Sequence, residues 1–152
     1  MRFTNLLLVF LVSAAALCAS DPFVGTWKMN PAKTKYKAGT APKELTITVT
    51  EVGSDINVAL AGTTADGSKI AYSYTAPSAG GDGKIESAFY DGVSAKRIGP
   101  NERETSYMKG GKPVYTAHSK LSADGDSLLV HSKGINSLGL PVEANTVYER
   151  QK

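Results

Sequence analysis

The sequence predicts an all-β chain: an antiparallel up-and-down β-barrel of eight to ten strands, without a long helical lid. Three observations carry this. Apolar and polar residues alternate with period two, short Gly/Asp/Asn turns interrupt the alternation at even spacing, and a Gly-x-Trp strand at one end has a tyrosine-bearing strand to pair with at the other. A sheet whose first and last strands pair becomes a barrel. Small closed barrels either fill their interior or hold one small ligand there.

The first twenty residues stand apart from that rhythm. Arg2 precedes an apolar run from Leu6 to Leu17 broken only by Ser13, and Cys18-Ala19-Ser20 supplies small residues before Asp21. This is the pattern of a secretory signal, too short to span a bilayer that needs about 20 apolar residues. Leu17 is too bulky beside Cys18 for lipid attachment. Residues 1–20 are therefore expected to be a signal peptide, and residues 21–152 a single barrel domain that is secreted or periplasmic.

Strands are expected near 23–29, 44–52, 54–62, 68–76, 83–90, 93–99, 102–109, 112–122, 126–133 and 141–150. Leu45, Ile47 and Val49 alternate with threonines. Ile56, Val58 and Leu60 do the same against Asn57, Ala59 and Ala61, as do Ile70, Tyr72 and Tyr74 against Ala71, Ser73 and Thr75. The turns between strands are Gly53-Ser54-Asp55, Ala65-Asp66-Gly67, Gly80-Gly81-Asp82-Gly83, Asp91-Gly92, Gly99-Pro100-Asn101, Lys109-Gly110-Gly111 and Ala123-Asp124-Gly125. In each, Gly supplies positive φ or Asp or Asn caps its own backbone. Asn30–Lys43 breaks the rhythm. With Pro31, Pro42, Gly39 and four lysines, it reads as an ordered loop or one short helical turn packed by Tyr36.

Composition narrows the function classes. Cys18 is the only cysteine of the 152 residues, so cleavage after Ser20 leaves no disulfide, thiol nucleophile or cysteine metal site. The net charge of +3 is small and the lysines are scattered, which argues against nucleic acid as a partner. No stretch of 21–152 approaches membrane-spanning length, and a monomer is expected. His118 and His131 are the only histidines, too few for a metal site without clustered carboxylates. There is no Gly-x-Ser-x-Gly, no phosphate loop and no spaced acid pair, so the expectation is a protein that is not an enzyme and needs no cofactor.

The two ends carry a family resemblance. Phe23-Val24-Gly25-Thr26-Trp27-Lys28 resembles the opening strand of the intracellular fatty-acid-binding proteins, and Val147-Tyr148-Glu149-Arg150 their closing strand. Gly25-x-Trp27 is also the opening signature of the wider lipocalin-like (calycin) group. Asp21-Pro22-Phe23, Asn30-Pro31-Ala32-Lys33 and Ser132-Lys133-Gly134 give the mature chain the look of secreted bacterial lipocalin-like proteins, a resemblance that brings no activity with it. Two departures matter. Residues 30–43 are too short and too Pro/Gly-broken for the helical lid of the fatty-acid binders. Their closing Arg-x-Tyr grips a carboxylate, whereas here Thr146 stands at the arginine position and only Tyr148 remains, so the bidentate cationic donor is gone.

Candidate residues follow from strand phase. Tyr148 shares a face with Val142 and Ala144 and points inward, where its hydroxyl needs a ligand, a water or a side chain such as Arg97 or His118. Ligand-binding residues are expected at Tyr148, Thr146, Tyr107, Arg97, His118 and Tyr72. Trp27, Gly25 and Arg150 are expected to plug one end, with Arg150 or Arg97 stacked on the indole. The Arg103 face also turns inward, and an inward arginine must be paired. Two readings result: a barrel that binds a small apolar or amphipathic molecule inside, or a packed barrel acting through its surface like a protease-inhibitor domain.

Overall fold

Side chains of a strand alternate between faces, so the period-two pattern sends one set inward and leaves threonine, serine and lysine outside. The computed structural model describes residues 19–152, and among them there is no helix. Most of the expected signal peptide, residues 1–18, lies outside the described residues. No helix among the described residues is long and apolar enough to cross a membrane.

Eleven strands follow one another: β1 (Gly25–Met29), β2 (Lys35–Ala38), β3 (Glu44–Val52), β4 (Asp55–Thr63), β5 (Lys69–Pro77), β6 (Gly80–Glu86), β7 (Gly92–Gly99), β8 (Glu102–Lys109), β9 (Lys112–Leu121), β10 (Ser127–Ile135) and β11 (Pro141–Arg150). Ten of them, all but β2, form a closed antiparallel barrel. β1 pairs with β3, each later strand pairs with the next, and β11 returns to β1 with Trp27↔Arg150, Lys28↔Glu149 and Met29↔Tyr148 in register. Closure removes the exposed edges an open sheet would present.

The interior is built from the residues the alternation assigns to it. Leu45, Ile47, Val49, Ile56, Ile70, Tyr74, Val93, Tyr107, Leu128, Val130 and Tyr148 are all buried. Strands that curve this tightly approach one another closely at some points. Gly134 sits at φ +126 where a Cβ would collide with the Val114 carbonyl of β9, so only glycine fits.

Two local expectations are corrected. Residues 30–43 are neither plain loop nor helical turn: after a turn at 31–33 they form β2, which pairs with the upper half of β11 through Ala144↔Tyr36 and Asn145↔Lys35. The same β11 edge thus serves β1 below and β2 above. Gly80-Gly81-Asp82-Gly83 is not a turn but the start of β6, and residues 87–90, expected as strand, form the bend into β7. Gly83 is a packing glycine, since a Cβ there would collide with the Thr75 carbonyl on β5.

Candidate functional site: a one-ended cavity

At the lower end, where β1 begins and β11 finishes, the chain termini interlock. Trp27 is fully buried and its Nε1 donates to the Phe23 carbonyl at 2.9 Å. The Arg150 guanidinium lies 4.1 Å from the indole centroid. It donates to three carbonyls: Gly125 at 2.8 Å, Val24 at 2.6 Å and Pro22 at 2.9 Å. Gly25 makes room for it. At φ +144, a Cβ on Gly25 would stand 2.6 Å from Arg150 Nη1.

Beneath the barrel, Asp21 is buried and accepts from Phe23 N–H at 3.0 Å, from Ser78 Oγ and from Arg97 Nη1 at 2.9 Å. Burial pushes its carboxyl up. The hydrogen bonds from Ser78, Phe23 and Arg97, with the Arg97 charge, reverse that and hold it below its ordinary 3.8.

Above this floor is a cavity of about 850 Å³. It opens at the upper end between residues 39–42, the β4–β5 turn and the β10–β11 turn. One wall is aliphatic, with Leu45, Ile47, Val49, Ile56, Val58, Leu60 and Ile70 from β3, β4 and β5. Much of the rest is phenolic. All seven tyrosines of the chain line it: Tyr36, Tyr72, Tyr74, Tyr90, Tyr107, Tyr115 and Tyr148.

Many of these rings touch. Tyr72 meets Tyr90 and Tyr107 edge-on, each with centroids 5.7 Å apart, and Tyr90 tilts against Tyr107 at 5.0 Å. Tyr90 Oη donates to the Ile135 carbonyl at 2.9 Å, tying the β6–β7 bend to the end of β10. Burial pushes every one of the seven hydroxyls above 10.0; Ser132 offsets this in part at Tyr115, and Thr146 at Tyr36. At neutral pH the wall is a set of neutral donors. The tyrosines were weak as a sequence signal because half-buried strands favour them anyway. Only closure of the barrel brings all seven to one space.

Of the expected binding residues, Tyr148, Thr146, Tyr107 and Tyr72 line this cavity. Arg97 and His118 do not. Arg97 is on the inward face, but its side chain turns down to Asp21 and to the carbonyls of Gly99 at 2.9 Å and Pro100 at 2.6 Å. His118 points outward and its Nε2 lies 2.6 Å from Glu102 Oε1, because Tyr115, Ala117 and Ser119 take the inward phase of β9. No hydrogen bond joins Tyr148 to Arg97 or His118 among the described residues. The stacked cation on Trp27 is Arg150.

Arg103, the register partner of Arg97 on β8, is the arginine that lines the cavity. Its inward phase is readable from Thr105 and Tyr107. Tyr36 and Tyr90, both outside the expected strands' inward faces, carried no comparable signal. Among the described residues there is no group of three or more His, Cys, Asp or Glu placed to hold a metal ion.

No family model matches the chain, and no curated protein matches it. Among solved structures it is similar to a de novo designed fluorescence-activating β-barrel, with 16% sequence identity and a TM-score of 0.46 over 88% of this chain and 100% of that one.

Proposed function

We propose that this barrel is a non-enzymatic binding protein that takes up one small apolar or amphipathic molecule in its interior, outside the cytoplasm. The observation that carries this reading is the cavity of about 850 Å³, open at one end and walled by aliphatic side chains and seven tyrosines. That is the size and polarity of a small-molecule site. Each 100 Å² of ligand hydrocarbon buried contributes roughly 2.5 kcal/mol before the cost of immobilisation.

Below the rim the polar groups are neutral hydroxyls and one guanidinium. The lining carboxylate, Asp66, belongs to the β4–β5 turn at the mouth and is exposed. Tyrosines held above their usual range are poor bases near neutral pH, which supports binding over acid–base chemistry. A barrel working only through its surface would have a filled interior, so the cavity favours the internal site. The leader pattern of residues 1–20, with Arg2 ahead of an apolar run, supports export.

Two measurements test it. Molecules co-extracted with protein purified from its native host are identified by mass spectrometry, and a fluorescent lipid analogue is titrated into the emptied barrel. Saturable binding of one probe per chain is expected, abolished in Thr146→Trp while the far-ultraviolet spectrum stays that of the wild type. Absence of any co-extracted molecule together with absence of probe binding overturns the reading.

A further inference from the structure

Resting on that internal-site reading, we infer that the cavity has an anion subsite at its floor, centred on Arg103, and that the ligand carries a single carboxylate which enters first. The Arg103 side chain is 4% exposed. Its Nε, Nη1 and Nη2 are all buried, and none has a hydrogen-bond partner among the described residues. A guanidinium has five N–H donors and cannot give up its charge, so a buried one with no acceptor is a group shaped for something that brings the acceptors.

The neighbouring charges do not supply them. Asp21 Oδ2 is the nearest carboxylate oxygen, and at 3.7 Å from Arg103 Nη1 it lies outside hydrogen-bond range. Both Asp21 oxygens are already taken, Oδ1 by Phe23 N–H and Oδ2 by Ser78 and Arg97. Arg97 and Arg103 therefore share one carboxylate, and one positive charge is left over. Arg97 spends its donors on Asp21 and on two backbone carbonyls. The surplus belongs to Arg103, on the cavity side. Below it the Phe23 ring, 5.6 Å from the guanidinium carbon, offers a π face but no acceptor of the strength a cation needs.

Hydroxyls stand around the same point. Ser119 is the register partner of Arg103 on β9, and Thr105 lies two residues along on β8 with its Oγ1 3.3 Å from Tyr74 Oη. Ser119, Thr105 and Tyr74 all line the cavity with Arg103. A planar carboxylate matches the guanidinium fork bidentately and accepts from hydroxyls as well. One surplus charge calls for a monoanion rather than a phosphate dianion. The subsite is on β8 and β9, not at Thr146 and Tyr148 of the closing strand. The body of the ligand is then left to lie upward between the aliphatic and phenolic walls.

The test compares 11-(dansylamino)undecanoic acid with its primary amide, which differ in the charge of the head group. The wild type is expected to bind the acid tighter by about 10–100-fold. Arg103→Gln should remove that preference by weakening the acid while leaving the amide nearly unchanged. A second readout needs no variant: the Arg103 Nε–Hε resonance should move on addition of the acid and stay in place with the amide. Equal binding of acid and amide, an unshifted resonance, or a folded Arg103→Gln that keeps the preference each overturns the subsite while leaving the internal cavity standing. Failure of both probes to bind removes the cavity reading and the subsite together.

Discussion

The two ends of the barrel are built on opposite plans. At the floor, distant parts of the chain converge and, Arg103 apart, their polar groups are paired: Arg150 on three carbonyls, Trp27 Nε1 on Phe23, Asp21 on Ser78 and Arg97, and the Gln151 N–H on the Thr26 carbonyl at 2.8 Å. At the mouth, the contacts are few and exposed. Lys37 and Lys133 reach Glu143 at 3.5 and 3.4 Å from the surface, Leu138 and Leu140 are exposed, and β2 rests on β11 over only a few residues. Sequence-distant segments meet at both ends. At the floor a cluster of side-chain hydrogen bonds locks them, and at the mouth exposed ion pairs leave the interior open.

Substitutions can break or sharpen this contrast. The largest effect is expected from Trp27→Ala, which empties a fully buried site and strips the stacking surface from Arg150. It should cost about 3–5 kcal/mol in denaturant unfolding. An unchanged midpoint would show that the floor is not where the barrel is held.

A smaller effect, with a sign, is expected at Asp21. Its folded carboxyl titrates below the ordinary 3.8, so it contributes stability above that pH that is lost as the pH falls through the folded value. Asp21→Asn should lower stability at neutral pH and flatten the acid limb below pH 3.8. Thermal melts between neutral and strongly acid pH check this, and parallel curves for the two proteins contradict it.

The smallest effect belongs to the mouth. Lys37→Ala removes an exposed ion pair and should leave the melting temperature unchanged. A drop comparable to that of Trp27→Ala would erase the distinction between the ends.

Much of the fold was legible because it is local. Strand phase needs only alternation, and the inward faces of β3, β4, β5 and β11 match the expected ones. The closing pair of strands was readable from Gly25-x-Trp27 and Tyr148. β2 was not, because Lys35-Tyr36-Lys37-Ala38 has a single large apolar residue and forms only where β11 has an edge free above Met29. Gly80–Gly83 misled for a related reason: glycines there answer to the backbone of a neighbouring strand rather than to a bend in their own.

The candidate site was half legible. Thr146, Tyr148, Tyr107 and Tyr72 came from phase alone. Choosing between Arg97 and Arg103 did not, since they are register partners on one face and differ only in what their long side chains meet. That depends on Asp21, far away in sequence and brought beneath the barrel by closure. The size of the void is likewise a property of closure, and no window of sequence contains it.

The separation of aromatic types has a practical consequence. Every phenol borders the hollow, while the single indole is sealed beneath it. A guest that settled among these phenols would alter their near-ultraviolet dichroism without displacing the indole. The chain would then carry its own optical gauge of occupancy, with a built-in reference one layer below.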